Sequence, residues 1–85
     1  MINNNKILKK QIVYRSKHRG TKEMDILLSA FVSKYIEKLD FNELNDLNNL
    51  LFIEDEILHK WYFEDNLNQN VPITKVSKML KGFKL

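Results

Sequence analysis

The sequence predicts an all-α fold, a small single-domain bundle of about five helices spanning residues 1–85, and three observations predict it. Apolar residues recur at intervals of three and four along most of the chain, the spacing that lines up one face of a helix. No segment of useful length alternates apolar and polar residues as a half-buried strand does, and there is no internal repeat. The two glycines and the single proline fall between or at the ends of the periodic stretches, where they punctuate helices and do not interrupt them.

Taken in order, residues 1–5 are a polar, frayed start. From Lys6 to Lys17 the residues Ile7, Leu8, Ile12 and Tyr14 fall at roughly helical spacing and predict a first helix that ends before Gly20, its lysines lying off the apolar stripe. The second helix, Thr21 to Leu39, is the best defined: Met24, Leu27, Leu28, Phe31, Tyr35 and Leu39 share one face, and we place it at the centre of the core. Asp40 followed by Glu43 has the spacing of a capping box. It opens a third helix carrying Leu44, Leu47, Leu50 and Leu51. Glu54-Asp55-Glu56 then supplies the cap and negative first turn of a fourth helix, with Ile57, Leu58, Trp61 and Tyr62 on its inner face. Residues 65–72 form a polar loop before the last helix. Pro72 suits the start of that helix, whose stripe is Ile73, Val76, Met79, Leu80 and Phe83 and whose end is marked by Gly82.

Composition narrows the function classes. Nine aromatic residues and 44% hydrophobic residues are enough to bury a core, so the chain is not a disordered segment. The absence of cysteine excludes a disulfide framework and zinc–thiolate sites. No apolar run approaches the ~20 residues that span a bilayer, and Met1–Lys10 is too polar for a secretory signal and lacks the look of a transit peptide. The expected location is a bacterial cytoplasm, ahead of a mitochondrial matrix. The net charge of +3 hides an asymmetry: residues 1–22 carry seven Lys/Arg and no acid, whereas residues 23–65 carry eleven acids against three lysines, a balance of −8. Four further lysines follow in residues 66–85.

The most informative stretch is Tyr14–Phe31. It holds both arginines, Arg15 and Arg19, of a chain that otherwise uses twelve lysines. A planar guanidinium fork suits bidentate pairing with a carboxylate or a carbonyl. Gly20 sits at the break between two helices, where positive φ and a sharp turn are open to it. Glu23 and Asp25 follow in the first turn or so of the next helix, facing the positive end of its dipole. The result is a compact polar corner. No nucleophile–base pair and no glycine-rich phosphate loop are readable. His18 and His59 lack the paired spacing of a metal site. We therefore expect no enzyme, no metal and no catalytic residue.

Tyr14, Ser16, Arg19-Gly20, Glu23, Asp25, Ile26-Leu27-Leu28 and Phe31, followed by Leu50-Leu51, Glu54-Asp55-Glu56, Leu58 and Trp61, resemble the signature of the succinate dehydrogenase flavinylation factors. The likeness covers roughly residues 8–62. After Trp61 the chain departs from the family's short glycine-containing turn, since Trp61 to Pro72 is longer and has no glycine. The resemblance implies a helical assembly factor that binds the flavoprotein subunit of succinate dehydrogenase or fumarate reductase and helps attach FAD covalently to it. The chemistry then belongs to the flavin and a histidine of the partner, and the chain itself holds no cofactor stably. It further implies that Arg19, Gly20 and Glu23 form the contact, with Tyr14, Arg15, Ser16, Lys22 and Asp25 around them and Trp61 packed behind the corner or part of the contact. No membrane or nucleic-acid partner is expected, and the free chain is expected to be a monomer. Two other readings of the residues stand beside this one. The basic first helix could instead contact nucleic-acid phosphates, against which the acidic middle works. A flavin-carrying protein is the third reading, for which so small a bundle offers no evident pocket.

Overall fold

The computed structural model describes residues 4–64 and 71–84. Five helices follow one another: α1 (Asn4–Lys17), α2 (Lys22–Tyr35), α3 (Phe41–Leu51), α4 (Asp55–Phe63) and α5 (Lys75–Gly82). There is no strand among the described residues. The all-α fold read from periodicity is therefore the one observed. The expectations about the first three residues and most of the loop before α5 lie outside the described residues.

α1 begins at Asn4, two residues before the predicted start, and its buried stripe differs from the one expected. Leu8, Ile12 and Ser16 point inward at successive i, i+4 positions, while Ile7 and Tyr14 are exposed. The small Ser16, 1% exposed, lets neighbouring backbone approach closely. Its hydroxyl donates to the Val13 carbonyl at 2.7 Å, and its own carbonyl accepts the Ser29 hydroxyl of α2 at 3.2 Å.

The sequence places α2 at the centre, and its apolar face is indeed buried: Met24, Leu27, Leu28, Phe31 and Val32 are all within 1% of full burial. The most extensive helix–helix contacts, however, are α1 with α3, α1 with α2, and α3 with α5. α1 shares its contacts between α2 and α3, and α3 carries α5. Ser16, buried and with no bulky side chain, lets α1 pack close to α2, whose Ser29 hydroxyl reaches the Ser16 carbonyl. Phe31 closes the core at the other end of the chain, with ring centroids 4.9 Å from Tyr35 and 5.4 Å from Phe83.

α2 also stops four residues earlier than predicted. The Ile36 N–H still reaches the Val32 carbonyl, but Lys38 bonds back only to Tyr35 at 2.8 Å, a tightened last turn. The chain then becomes extended at Asp40, which caps α3. The predicted capping box is present in full: the Asp40 carboxylate accepts the Glu43 N–H at 2.8 Å, and Glu43 accepts the Asp40 N–H at 2.9 Å. α5 is capped by Thr74, whose hydroxyl accepts the Ser77 N–H at 3.0 Å while the Ser77 hydroxyl accepts the Thr74 N–H at 2.8 Å. Pro72 therefore lies ahead of the helix and does not open it, and Ile73, expected in the stripe, is 85% exposed.

Glu43 also accepts an ion pair from Lys75 of α5 at 3.0 Å. The Asp40 N–H first and Lys75 second hold its carboxyl below the ordinary value of 4.5. A depressed folded-state value means the stabilisation is complete above the unfolded value and is lost as pH falls through the folded one. Thermal melts of the wild type are expected to lose a step of stability below about pH 4.5 that Glu43→Gln lacks. A pH profile identical in the two chains would contradict this.

Candidate functional site

The α1–α2 link and the α3–α4 link meet at one corner, and the meeting is built from opposite helix ends. Leu51 is the last residue of α3, so its carbonyl and that of Ile53 lack intrahelical partners and carry the negative end of the helix dipole. Arg19 supplies what they need. Its Nη1 donates to the Leu51 carbonyl at 2.6 Å, and Nη2 donates to the Ile53 carbonyl at 2.9 Å. The other edge of the same guanidinium holds Asp55, with Nε donating to Oδ1 at 2.6 Å and Nη2 at 2.5 Å from that oxygen. The side chains of this ion pair are 7% and 14% exposed.

Asp55 has a second oxygen, and it is also in use. Oδ2 accepts the backbone N–H of Gly20 and, at 3.3 Å, that of Thr21. Asp55 is the first residue of α4, where a carboxylate is favoured by the dipole. Here, though, it reaches out of its helix to bind the free N–H groups ahead of α2. The Thr21 hydroxyl caps α2 by accepting the Met24 N–H at 3.3 Å, and Asp25 turns back to accept the Arg19 N–H at 3.2 Å. Every one of these bonds ties groups far apart in sequence or closes a helix end.

Glycine at position 20 is favoured by space and not by backbone twist. Its φ lies outside the left-handed region, so the positive φ open to a glycine is not used here. A Cβ built there would stand 3.1 Å from Asp55 Oδ2. The carboxylate approaches the backbone closely enough to accept its N–H, and any side chain at this position would have to push it back.

The residues predicted to form the site separate into two groups. Arg19 is expected from sequence to present its fork to a partner, but the fork is engaged inside by two carbonyls and a carboxylate. Ser16 is buried in the α1–α2 contact. Arg15 is a clamp on α3: Nη1 donates to Asn48 Oδ1 at 3.2 Å, and its guanidinium lies 4.3 Å from the Phe52 ring centroid. Asp25 is a half-buried internal acceptor. Outward-facing are Gly20, Lys22, Glu23 and Tyr14. Neither Lys22 nor Glu23 makes a hydrogen bond or ion pair among the described residues. The Tyr14 ring stacks on His18 with centroids 4.0 Å apart. Trp61 packs against the core and meets α5. It is half-buried, its ring lies 4.8 Å from the Lys81 ammonium, and its carbonyl accepts that same ammonium.

Sequence reasoning misses Asp55 and Phe52. The acidic run Glu54-Asp55-Glu56 reads as a helix cap, yet Glu54, at the cap position, makes no side-chain cap bond. Among the described residues no cluster of three or more His, Asp or Glu could hold a metal ion, and no helix is long and apolar enough to cross a membrane.

Fold and corner together define a small five-helix domain whose two interhelix links are stapled by a buried Arg–Asp pair. A family profile described as flavinator of succinate dehydrogenase matches residues 10–84, and the chain belongs to that family. Its relatives include the FAD assembly factor SdhE of Acetobacter pasteurianus, 36% identical over 55 residues, 65% of this chain and 50% of the relative. Succinate dehydrogenase assembly factor 2, mitochondrial, of Saccharomyces cerevisiae is 36% identical over 77 residues, 86% of this chain and 48% of the relative. The protein of the same name from Dictyostelium discoideum is 41% identical over 54 residues, 64% of this chain and 38% of the relative. The chain thus spans about half the length of the first two. No solved structure matches it significantly.

Proposed function

We propose that this chain is a non-catalytic assembly factor that binds the flavoprotein subunit of succinate dehydrogenase or fumarate reductase and promotes covalent attachment of FAD to it. The observation that carries this reading is the family match across residues 10–84, a span that contains every residue of the corner. The covalent bond forms between the flavin and the client, and this chain contributes no group to it and keeps no cofactor. Its contribution is selective binding to the client conformer in which flavin and acceptor are aligned, which raises the population of that conformer. Such a helper works where the client is loaded with flavin, which for a bacterial chain is the cytoplasm.

The corner supplies a rigid contact for that purpose. Arg19 and Asp55 fix the backbone at Gly20, which carries no side chain and is open to solvent. Glu23 and Lys22, exposed in the first turn of α2, offer charges without internal partners. The arginine fork acts from behind, by holding the surface in shape.

The test is co-expression with a client flavoprotein, followed by in-gel flavin fluorescence and melting of the purified factor. Gly20→Arg is expected to abolish flavinylation, because a long side chain stands where close approach occurs. Gly20→Ala is expected to cost the factor about 1–2 kcal/mol, as Asp55 is pushed back by a few tenths of an ångström. Glu23→Gln, on the exposed face, is expected to leave stability within about 0.5 kcal/mol and still reduce flavinylation several-fold. Normal flavinylation with both Gly20→Arg and Glu23→Gln would remove the corner from the function.

A further inference from the structure

We infer that a lysine-lined groove along α1 is a docking site for an acidic, partly apolar peptide segment of another protein, distinct from the Gly20 corner. The groove has a volume of about 750 Å³ and runs beside α1 from Asn5 to His18, with Ile36 and Glu37 on its far side. Thirteen helical steps at 1.5 Å make it about 20 Å long, which an extended peptide covers in about six residues. Lys9, Lys10 and Lys17 stand along it. Val13 and the buried Ile36 provide an apolar floor, and the exposed Tyr14 ring, stacked on His18, provides a broad face on which aliphatic side chains can rest.

The charge points to carboxylates. Glu37, which lines the groove, is already held by Lys9 at 3.0 Å, so the groove contains an example of the group it takes. Lys10 and Lys17 make no hydrogen bond or ion pair among the described residues and are left to attract further carboxylates. A single phosphate would call for donors converging on one point, whereas these lysines are strung out along one helix face. A nucleic-acid backbone would bring a continuous row of phosphates against Glu37. A peptide that alternates acidic and apolar residues matches both the row of ammonium groups and the apolar floor.

The experiment is an NMR titration of the isotope-labelled full chain, and it reads the factor alone, apart from any effect on flavinylation. The probe is a synthetic peptide of about eight residues mixing glutamate with leucine, slightly longer than the groove. An all-glutamate peptide of equal length and an RNA of about ten nucleotides are the comparisons. Amide shifts are expected at Lys9–His18 and Ile36–Glu37, with the mixed peptide binding more tightly than either comparison. The Lys10→Glu/Lys17→Glu double variant is expected to bind about tenfold or more weakly, with its melting temperature unchanged because both side chains are exposed. Glu37→Gln, which frees Lys9, is expected to bind more tightly. RNA binding more tightly than the mixed peptide, shifts confined to other helices, or unchanged affinity in the double variant would each overturn the assignment.

Discussion

Asp55→Ala is expected to destabilise the domain by about 3–5 kcal/mol, the usual cost of removing one partner from a buried ion pair. The loss is large because one carboxylate serves three consecutive residues of the α1–α2 link: the Arg19 guanidinium and the backbone N–H groups of Gly20 and Thr21. Asp55→Asn is expected to recover little of this. An amide has a single acceptor oxygen, so its NH₂ group must face either the guanidinium or the Gly20 N–H, donor against donor. Arg19→Lys keeps the charge but cannot reach two carbonyls and a carboxylate at once, and it too is expected to destabilise. Urea unfolding checks all three through the midpoint at constant m-value. A double variant lacking both side chains is expected to be less damaged than the two single losses added together, since they share one interaction. An Asp55→Ala loss below about 1 kcal/mol would show that the staple is ornamental.

Phe31→Ala is expected to cost a similar amount, about 3–5 kcal/mol, by a different route. Phe31 is fully buried, and its ring meets Tyr35 and Phe83. The cavity left behind would separate α2 from the segment that follows α5. With a total stability of about 5–15 kcal/mol for domains in general, an 85-residue chain loses a large share. Calorimetry reads the effect as a fall in melting temperature of more than about 10 °C. A melt within a few degrees of wild type would place Phe31 outside the core.

The two substitutions also mark how far the amino-acid sequence alone is legible. The Phe31 face is legible because its neighbours repeat at three and four, and burial follows period. The α3 capping box is legible because Asp40 and Glu43 solve a local problem within one turn. Asp55 is not, since three consecutive acids look alike to a helix dipole and only the tertiary path decides which one reaches Arg19. The arginine fork is half-legible: its preference for carboxylates and carbonyls follows from its chemistry, but both kinds of acceptor lie within the chain. Tyr14 and Ile7 are misplaced by the pattern because hydropathy passes over a buried serine, and the true α1 stripe runs through Ser16. Ile73 is misplaced because the helical period extends ahead of Thr74, the residue that caps the helix.

The staple joins residues 36 positions apart in sequence, and this has a consequence for how the protein is made. Local helices form in about a microsecond or less, but a contact of that sequence separation must wait for loop closure. During synthesis Gly20 emerges long before Asp55, and until Asp55 arrives only the local bonds to Asp25 and Thr21 act on this link, leaving the Gly20 N–H without its acceptor. The final shape of the Gly20 corner therefore exists only once two distant parts of the chain have met. A truncated or misfolded copy would display the same residues without their geometry, so the shape of this corner reports that both halves of the chain are in place.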